Sequence, residues 1–285
     1  MPQKPATSIP TLHPDHRTAL IEARHPRPHD ALGQHATDAG WVVRVVRPLA
    51  STVTIERADG TRHALTHDAD GLWHGLLPGG PADGQAYTVH TTYDGGPDWH
   101  ADDPYRFVPS VGETDLYLWG EGRHEQIWQV LGAHRKRHED VDGTRFAVWA
   151  PNAQAVRVVG DFNDWNGSLY AMRRLDDTGV WELFIPGLGA GSTYKFEILT
   201  PAGEWVTRAD PMARFTETPP ATASVVGESA YTWGDGDWMA ARAARDPHNG
   251  PMSVYELHLG SWKPGLGYRE IADPLIEYVT QLGFT

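Results

Sequence analysis

Five fragments of this chain occur twice, in the same order and at a nearly constant offset. Leu32-Gly33-Gln34-His35 returns as Leu131-Gly132-Ala133-His134, and the apolar strand starting at Trp41 returns at Phe146. Gly71-Leu72-Trp73-His74 returns as Gly179-Val180-Trp181-Glu182, and Tyr87-Thr88-Val89 as Tyr194-Lys195-Phe196. Asp102-Asp103-Pro104-Tyr105-Arg106-Phe107 returns as Ala209-Asp210-Pro211-Met212-Ala213-Arg214-Phe215. A pattern present twice, not many times, is a duplicated domain rather than a solenoid array. Inside each copy, short runs rich in Val, Tyr and Trp alternate inward and outward and are separated by Gly, Pro and Asp. That spacing predicts short strands of an all-β domain. The two copies are therefore expected to be two homologous sandwiches.

The repeat organises the rest. Residues 1–30, rich in Pro and His, are expected to be a leader, with a short helix over about 15–25, Asp15 as its N-cap and Leu20 and Ile21 as apolar anchors. Residues 31–108 are the N-terminal sandwich and 109–131 a linker, whose Leu116, Leu118 and Trp119 are expected to pack between the sandwiches. Residues 132–226 are the second sandwich. Residues 227–251 form a connector, opened by the break at Pro219-Pro220 just upstream, with a helix at about 240–245 and Trp233 and Trp238 as packing anchors. At 252–285 the period changes. Residues 253–259 read as a strand, 260–264 as a loop, and Ile271, Leu275, Ile276, Val279 and Leu282 fall at helical spacing. Asp273 is placed to cap that helix, Pro274 suits its first turn, and Gly283 suits its C-terminal stop. Strand then helix makes one β/α unit. A parallel strand alone can neither satisfy its backbone nor bury both faces, so this unit is expected to be the front of something longer. A complete (β/α)8 barrel takes roughly 250 residues. The expected fold class is mainly β: two tandem immunoglobulin-like β-sandwiches, then the first β/α unit of an incomplete (β/α)8 barrel.

Composition narrows the function. A net charge of −13 argues against general nucleic-acid binding, which needs a basic face. With 0 cysteines, no disulfide or thiolate site exists. Neither an apolar signal-peptide core at the N-terminus nor a stretch approaching membrane-span length is present. These features suit the cytoplasm, a soluble chain and no membrane partner. The 12 Trp are many for 285 residues, and indoles serve both cores and flat apolar ligands such as sugar rings. Trp41, Trp73, Trp149 and Trp181 lie in strand patterns and read as core or inter-sheet packing.

The stretch at 143–167 carries the most specific wording. Phe146 and Val148 alternate with Ala147 and Trp149, and Val156 and Val158 with Arg157 and Val159, with Pro151-Asn152 as the turn between. Then comes a polar, aromatic loop, Asp161-Phe162-Asn163-Asp164-Trp165, closed by Asn166-Gly167. Together with Pro251-Met252-Ser253-Val254-Tyr255-Glu256-Leu257-His258-Leu259-Gly260-Ser261-Trp262, this wording resembles the bacterial α-1,4-glucan (glycogen) branching enzymes and their family 48 carbohydrate-binding module. The resemblance runs from about Leu32 to Thr285. Pro274 departs from it, standing where that family usually carries an acidic residue.

The resemblance implies an enzyme that cuts an α-1,4-glucan and transfers the piece to a 6-hydroxyl, forming α-1,6 branches by retaining chemistry. That needs a carboxylate nucleophile and an acid/base about 5–5.5 Å apart. Neither matches a motif here, and in the family both lie on later barrel strands, beyond Thr285. The chain is thus expected to hold binding and positioning parts, without catalytic residues, cofactor or metal. The expected partner is α-1,4-glucan, such as glycogen or maltooligosaccharides.

Four residues are candidates for sugar binding. Trp165 is read as an exposed platform for a sugar ring, against a reading in which it folds onto its own sandwich edge. Lys195 can donate to sugar hydroxyls or simply face solvent on a strand. Trp205, after the turn Pro201-Ala202-Gly203, is a second wall by the resemblance. Asn163 meets the hydroxyl rim or holds the loop by an Asx-type bond. Tyr255, Glu256 and His258 read as barrel-strand structure. Gly187-Leu188-Gly189-Ala190-Gly191 has the glycines of a phosphate loop but precedes a strand, so no helix N-terminus is available for an anion. Two other functions remain open on sequence: a non-catalytic glucan-binding protein, and another amylase-clan enzyme such as a trehalohydrolase.

Overall fold

A computed structural model describes residues 9–37, 40–77, 86–246 and 248–285. The leader's first eight residues and residues 78–85 lie outside the described residues. The chain divides into two compact units, Met1–Ser229 and Ala230–Thr285.

The first unit holds four antiparallel sheets. In its N-terminal half the strands are β1 (Gly33–Thr37), β2 (Gly40–Val46), β3 (Thr52–Arg57), β4 (Arg62–Ala64), β5 (Thr66–Ala69), β6 (Leu72–Leu77), β7 (Tyr87–Thr92) and β8 (Trp99–Asp102). They form two sheets, β1-β2-β6-β5 and β4-β3-β7-β8. Inward residues of both meet in one core: Val43, Val45 and Trp73 from the first, Val53, Ile55 and Val89 from the second.

The second half adds β9 (Gly132–His138), β10 (Val141–Trp149), β11 (Ala155–Gly160), β12 (Arg173–Leu175), β13 (Val180–Pro186), β14 (Thr193–Leu199), β15 (Trp205–Arg208), β16 (Phe215–Thr216) and β17 (Ser224–Val225). Their sheets are β12-β13-β10-β9 and β11-β14-β17-β16, with β15 beside β14. Phe146, Val148, Trp181 and Leu183 pack against Val156, Val158, Tyr194 and Phe196.

The strand pairings repeat. β2 lies between β1 and β6 as β10 lies between β9 and β13, and β3 pairs β7, which pairs β8, as β11 pairs β14, which pairs β15. Trp73 and Trp181 hold equivalent places, opposite Val45 and Val148. Each indole donates to a backbone carbonyl, Arg47 O at 3.2 Å and Ala150 O at 2.9 Å. Tyr87 Oη donates to Asp103 at 2.6 Å, and Tyr194 Oη to Asp210 at 2.5 Å. Each aspartate also accepts the backbone N–H two residues on, from Tyr105 at 3.0 Å and Met212 at 2.8 Å. A duplicated pattern of buried polar bonds agrees with the duplicated sequence, because each buried carboxylate needs partners.

The halves share one core. Leu20, Leu32, Val46 and Tyr105 belong to the same buried cluster as Phe146 and Trp181. Tyr105 Oη donates to Leu169 O and accepts from Ala171 N, both at 3.0 Å. Leu20 comes from α1 (Pro14–Ile21), which starts one residue earlier than expected and ends sooner. His13, not Asp15, is its N-cap, because the imidazole accepts from Asp15 N.

The linker departs from expectation. Leu116 and Trp119, on α2 (Glu113–Gly120), pack with Val111, Ala147, Leu175 and Val180 on the outer face of β12-β13-β10-β9, not between the sandwiches. Leu118 is outside that cluster. The reason is Glu182, which points to the same face and is fully buried there. It accepts from Arg173 Nε at 2.8 Å and from Ser110 N at 3.1 Å, while Arg173 Nη1 donates to Phe107 O at 2.9 Å. Covering this ion pair requires the linker to lie over it. Trp149, expected in the core, shares that outer face by strand alternation and is 49% exposed, edge-on to Trp119 at 5.6 Å.

In the second unit α3 (Gly236–Ala244) starts four residues before the expected helix. Trp233 and Trp238, expected as packing anchors, are exposed. Residues 253–258, expected as a strand, form no strand pair, and α4 (Leu259–Trp262) replaces the first part of the expected loop. Tyr255, Glu256 and His258 are therefore not strand residues among the described pairings. The physical cause is the one that makes a lone parallel strand unstable: its backbone has no neighbour on either side. The helix forms as α5 (Ala272–Gln281), with Ile271, not Asp273, as N-cap. Gly283 at φ +76° lets its own N–H reach Thr280 O and the N–H of Phe284 reach Val279 O, the paired bonds of a Schellman stop.

Trp181→Ala should destabilise the first unit by about 3–5 kcal/mol, while Trp149→Ala should cost roughly 1 kcal/mol. Equilibrium urea denaturation of the two variants checks the contrast. Burial raises the carboxyl pKa of Asp210 above its ordinary 3.8. A raised folded pKa means the folded chain holds the proton more tightly, so this contribution is full below the unfolded value and is lost as pH rises through the folded one. Stability measured from about pH 4 upward should therefore fall less in Asp210→Asn than in the unaltered chain.

Candidate functional site

The outer face of β11-β14-β17-β16 gathers the predicted residues. Along β14, Tyr194 and Phe196 point inward and are fully buried, so Lys195 and Glu197 face outward. Lys195 lies opposite Val159 and Glu197 opposite Arg157, while Trp205 lies opposite Leu199 on the neighbouring strand.

The Trp165 loop leaves the end of β11 directly after Gly160, which pairs with Tyr194. It therefore emerges beside Lys195. Asn163 braces it: its Oδ1 accepts from Gly160 N at 2.8 Å and its Nδ2 donates to Val158 O at 3.1 Å. Both ends of the amide are thus committed to backbone, and Asn163 is a loop holder rather than a free sugar donor. Asp161 accepts from Thr193 N at 3.2 Å, tying the loop to the start of β14.

The chain then turns through two left-handed residues, Asp164 at φ +51° and Trp165 at φ +58°. The left-handed turn sits there, not at Asn166-Gly167. Asn166 instead caps a short helical turn by accepting from Ser168 N at 3.0 Å. Gly167 is buried for a different reason, since a Cβ there would stand 2.6 Å from Arg157 Cδ. An indole-bearing residue in the left-handed region is strained by roughly 1–3 kcal/mol and persists only where its surroundings fix it. Here the fixing bonds are those of Asn163 and the Trp165 N–H to Gly160 O, 2.9 Å. The result is an indole 43% exposed on a braced loop.

Lys195 is not free. Its Nζ donates to Thr222 Oγ1 at 2.7 Å. Trp205 stands four β14 residues from Lys195, on the order of 13 Å along the strand. The structure thus brings Lys195 and the Trp165 loop to one end of the face and leaves Trp205 further along it. Arg157 and Glu197 fill the space between, residues that sequence reading missed. They form an ion pair at 2.7 Å, and the guanidinium lies 3.8 Å over the Trp205 ring. Their charges were visible in sequence, but strand register decides that they meet. The ensemble is an aromatic ring at each end of a strip of donors and acceptors. Chemically it can stack on apolar ring faces and exchange hydrogen bonds with hydroxyls. Among the described residues, no group of three or more His, Asp or Glu side chains could hold a metal ion, and no helix is long and apolar enough to cross a membrane.

Carbohydrate-binding modules are the class of domain this second sandwich belongs to. The profile of carbohydrate-binding module 48 (isoamylase N-terminal domain) matches residues 130–213, and that of the N-terminal domain of alpha-1,4-glucan branching enzyme GlgB matches residues 13–105. The chain is 49% identical over 98% of its length to a 1,4-alpha-glucan branching enzyme GlgB of Leifsonia xyli subsp. xyli, covering 39% of that protein. It is 54% identical over 94% of its length to GlgB 1 of Streptomyces coelicolor, covering 34% of it. With the enzyme of Thermobifida fusca the figures are 51%, 94% and 36%. Among solved structures, a pullulanase of Anoxybacillus sp. LM18-11 complexed with maltotetraose covers 75% of this chain and 27% of its own at 18% identity and TM-score 0.30, a likeness that carries no argument. The chain matches the N-terminal domains of the 1,4-alpha-glucan branching enzymes, and it spans between a third and two fifths of these relatives' length.

Asn163→Ala should leave the Gly160 N–H unpaired and cost about 1–3 kcal/mol. Faster amide exchange at Gly160 and Trp165, with the Trp181 core still protected, is the expected signature.

Proposed function

We propose that this chain is the glucan-binding and domain-positioning part of a glycogen branching enzyme. The enzyme cleaves an α-1,4-glucan and transfers the piece to a 6-hydroxyl, and the ligand of this part is the α-1,4-glucan chain itself. The observation that carries the reading is Trp165, an exposed aromatic residue held in a strained left-handed conformation on a loop braced by Asn163. Strain retained at an exposed aromatic residue favours a ligand role over packing. Trp165 would stack on a glucose ring, Lys195 would turn from Thr222 to a hydroxyl, and Trp205 would receive the chain further along.

The domain scheme follows the same reading: leader 1–30, N-terminal sandwich 31–108, linker 109–131, family 48 module 132–226, connector 227–251, and 252–285 as the opening of the catalytic barrel. In that scheme residues 253–259 pair as a strand once barrel neighbours flank them. The nucleophile and acid/base belong to segments beyond residue 285, no cofactor is needed, and the place of action is the cytoplasm.

Trp165→Ala should weaken binding of maltoheptaose or glycogen by roughly fivefold to tenfold or more, measured by affinity electrophoresis or calorimetry. Its unfolding midpoint should change little. Unchanged affinity together with a large loss of stability would refute the reading. The 285-residue chain alone should form no α-1,6 branches from amylose, and measurable branch formation by the pure chain would overturn the assignment of its parts.

A further inference from the structure

Arg157 stands on the open outer face of β11, yet its side chain is only 17% exposed, and that of its partner Glu197 only 20%. Ala155 and Leu199 fall on the same face by alternation, two residues further along, and both are buried. An open sheet face does not bury its own residues, so something lies across these four. Trp205 is the residue in place to do so. It pairs with Leu199, and its ring stands 3.8 Å from the Arg157 guanidinium. One indole face is taken by the guanidinium, so a sugar ring can stack only on the other.

Arg157 is held in that place from two sides. Glu197 accepts from its Nε at 2.7 Å across the β11–β14 pair. On the other edge of β11 the chain returns from the Trp165 loop and bridges Ala171 to Arg157. Met172 N donates there to Val156 O at 2.8 Å, and Val158 N to Tyr170 O at 3.0 Å. This return carries Gly167 against the arginine stem. A Cβ at Gly167 would stand 2.6 Å from Arg157 Cδ, 2.7 Å from Cγ and 2.9 Å from Nε. The φ of Gly167 lies outside the left-handed region, so the backbone does not require glycine there. What requires it is space: the glycine is the notch in which the arginine stem lies. The loop that carries Trp165 thus fixes Arg157, and Arg157 in turn meets Trp205.

We propose that Arg157 is a positioning residue of the glucan-binding face: seated in the Gly167 notch, its guanidinium holds the Trp205 indole in one orientation and couples it to the Trp165 loop. The assignment rests on the reading of this face as glucan-binding. The physical basis is preorganisation. A planar guanidinium stacks on an indole in a way that an ammonium does not. Without it Trp205 is free to sample other staggered rotamers, and each binding event has to immobilise the ring. The same geometry accounts for an ion pair on a face offered to a neutral ligand, because Glu197 neutralises the charge and sets the direction of the guanidinium.

Two variants test it, one removing the guanidinium and one displacing it. Arg157→Met keeps an apolar stem, and Gly167→Ala keeps every charged group while pushing the stem out of its notch. Heteronuclear relaxation of the Trp205 indole N–H, assigned by its loss in Trp205→Phe, should show a more mobile ring in both variants, with Trp181 unchanged. In calorimetric titration of the 285-residue chain with maltoheptaose, each variant should weaken binding about twofold to tenfold. In a Trp205→Ala background neither should weaken it further, because the ring they position is gone. An indole as rigid in both variants as in the unaltered chain overturns the proposal. So does a loss of affinity that persists in the Trp205→Ala background, since Arg157 would then act on the ligand or on the Trp165 loop alone. Affinity that falls in Trp165→Ala and Trp205→Ala but not in Arg157→Met or Gly167→Ala overturns this inference and leaves the proposed function standing. Affinity unmoved by Trp165→Ala and Trp205→Ala refutes the proposed function, and this inference with it.

Discussion

Glu182 is fully buried on the outer face of a sheet whose inner face already packs the core. A carboxylate there survives only if it is paired and hydrogen-bonded. Arg173 supplies the charge from the next strand, and Ser110 supplies an N–H and a hydroxyl from the linker. Arg173 in turn needs Phe107 O. The pair thus obliges residues 107–110 to lie over the sheet, and α2 and its apolar contacts follow. An ion pair of this kind need not stabilise the fold relative to an apolar substitute, but breaking it leaves an uncompensated charge. Its role here is positional: it converts a linker into a third layer.

The same layer encloses a cleft of about 580 Å³ between the leader, the linker and β12. Once the linker crosses the sheet, Arg173 is enclosed with one nitrogen unused, and the leader closes the far side through His29. On the other face of the sandwich the logic is opposite. There the strand face stays open, and the Trp165 loop is held from beneath by Asn163 rather than covered from above. One face is built by burying charge, the other by straining backbone to keep an aromatic residue out of the core.

The duplication has kept what is hardest to change separately. Tyr87 with Asp103 and Tyr194 with Asp210 each combine a buried phenol, a buried carboxylate and a backbone N–H. Losing any member strands the others without water. The Trp165 loop carries no such obligation, and its position has no partner in the five repeated fragments.

Strand existence, the two-sandwich architecture and the repeat were legible in the sequence, because period-2 patterning and turn residues are local and because Trp73 and Trp181 recur with their neighbours. The brace was half legible: sequence left Asn163 open between a sugar contact and a loop bond, although its bonds reach residues only three and five positions away. What lay beyond the sequence depends on register and on coverage. Arg157, Glu197 and Trp205 meet only because β11, β14 and β15 pair in one alignment. Trp149 alternates like a core residue but faces the linker, and alternation identifies a face without saying which face is inside. The strand at 253–259 has the right composition, yet composition cannot supply the neighbours whose backbone it must bond. Local chemistry fixed the elements and tertiary pairing fixed the surfaces, because hydrogen-bond register and burial are properties of two segments at once.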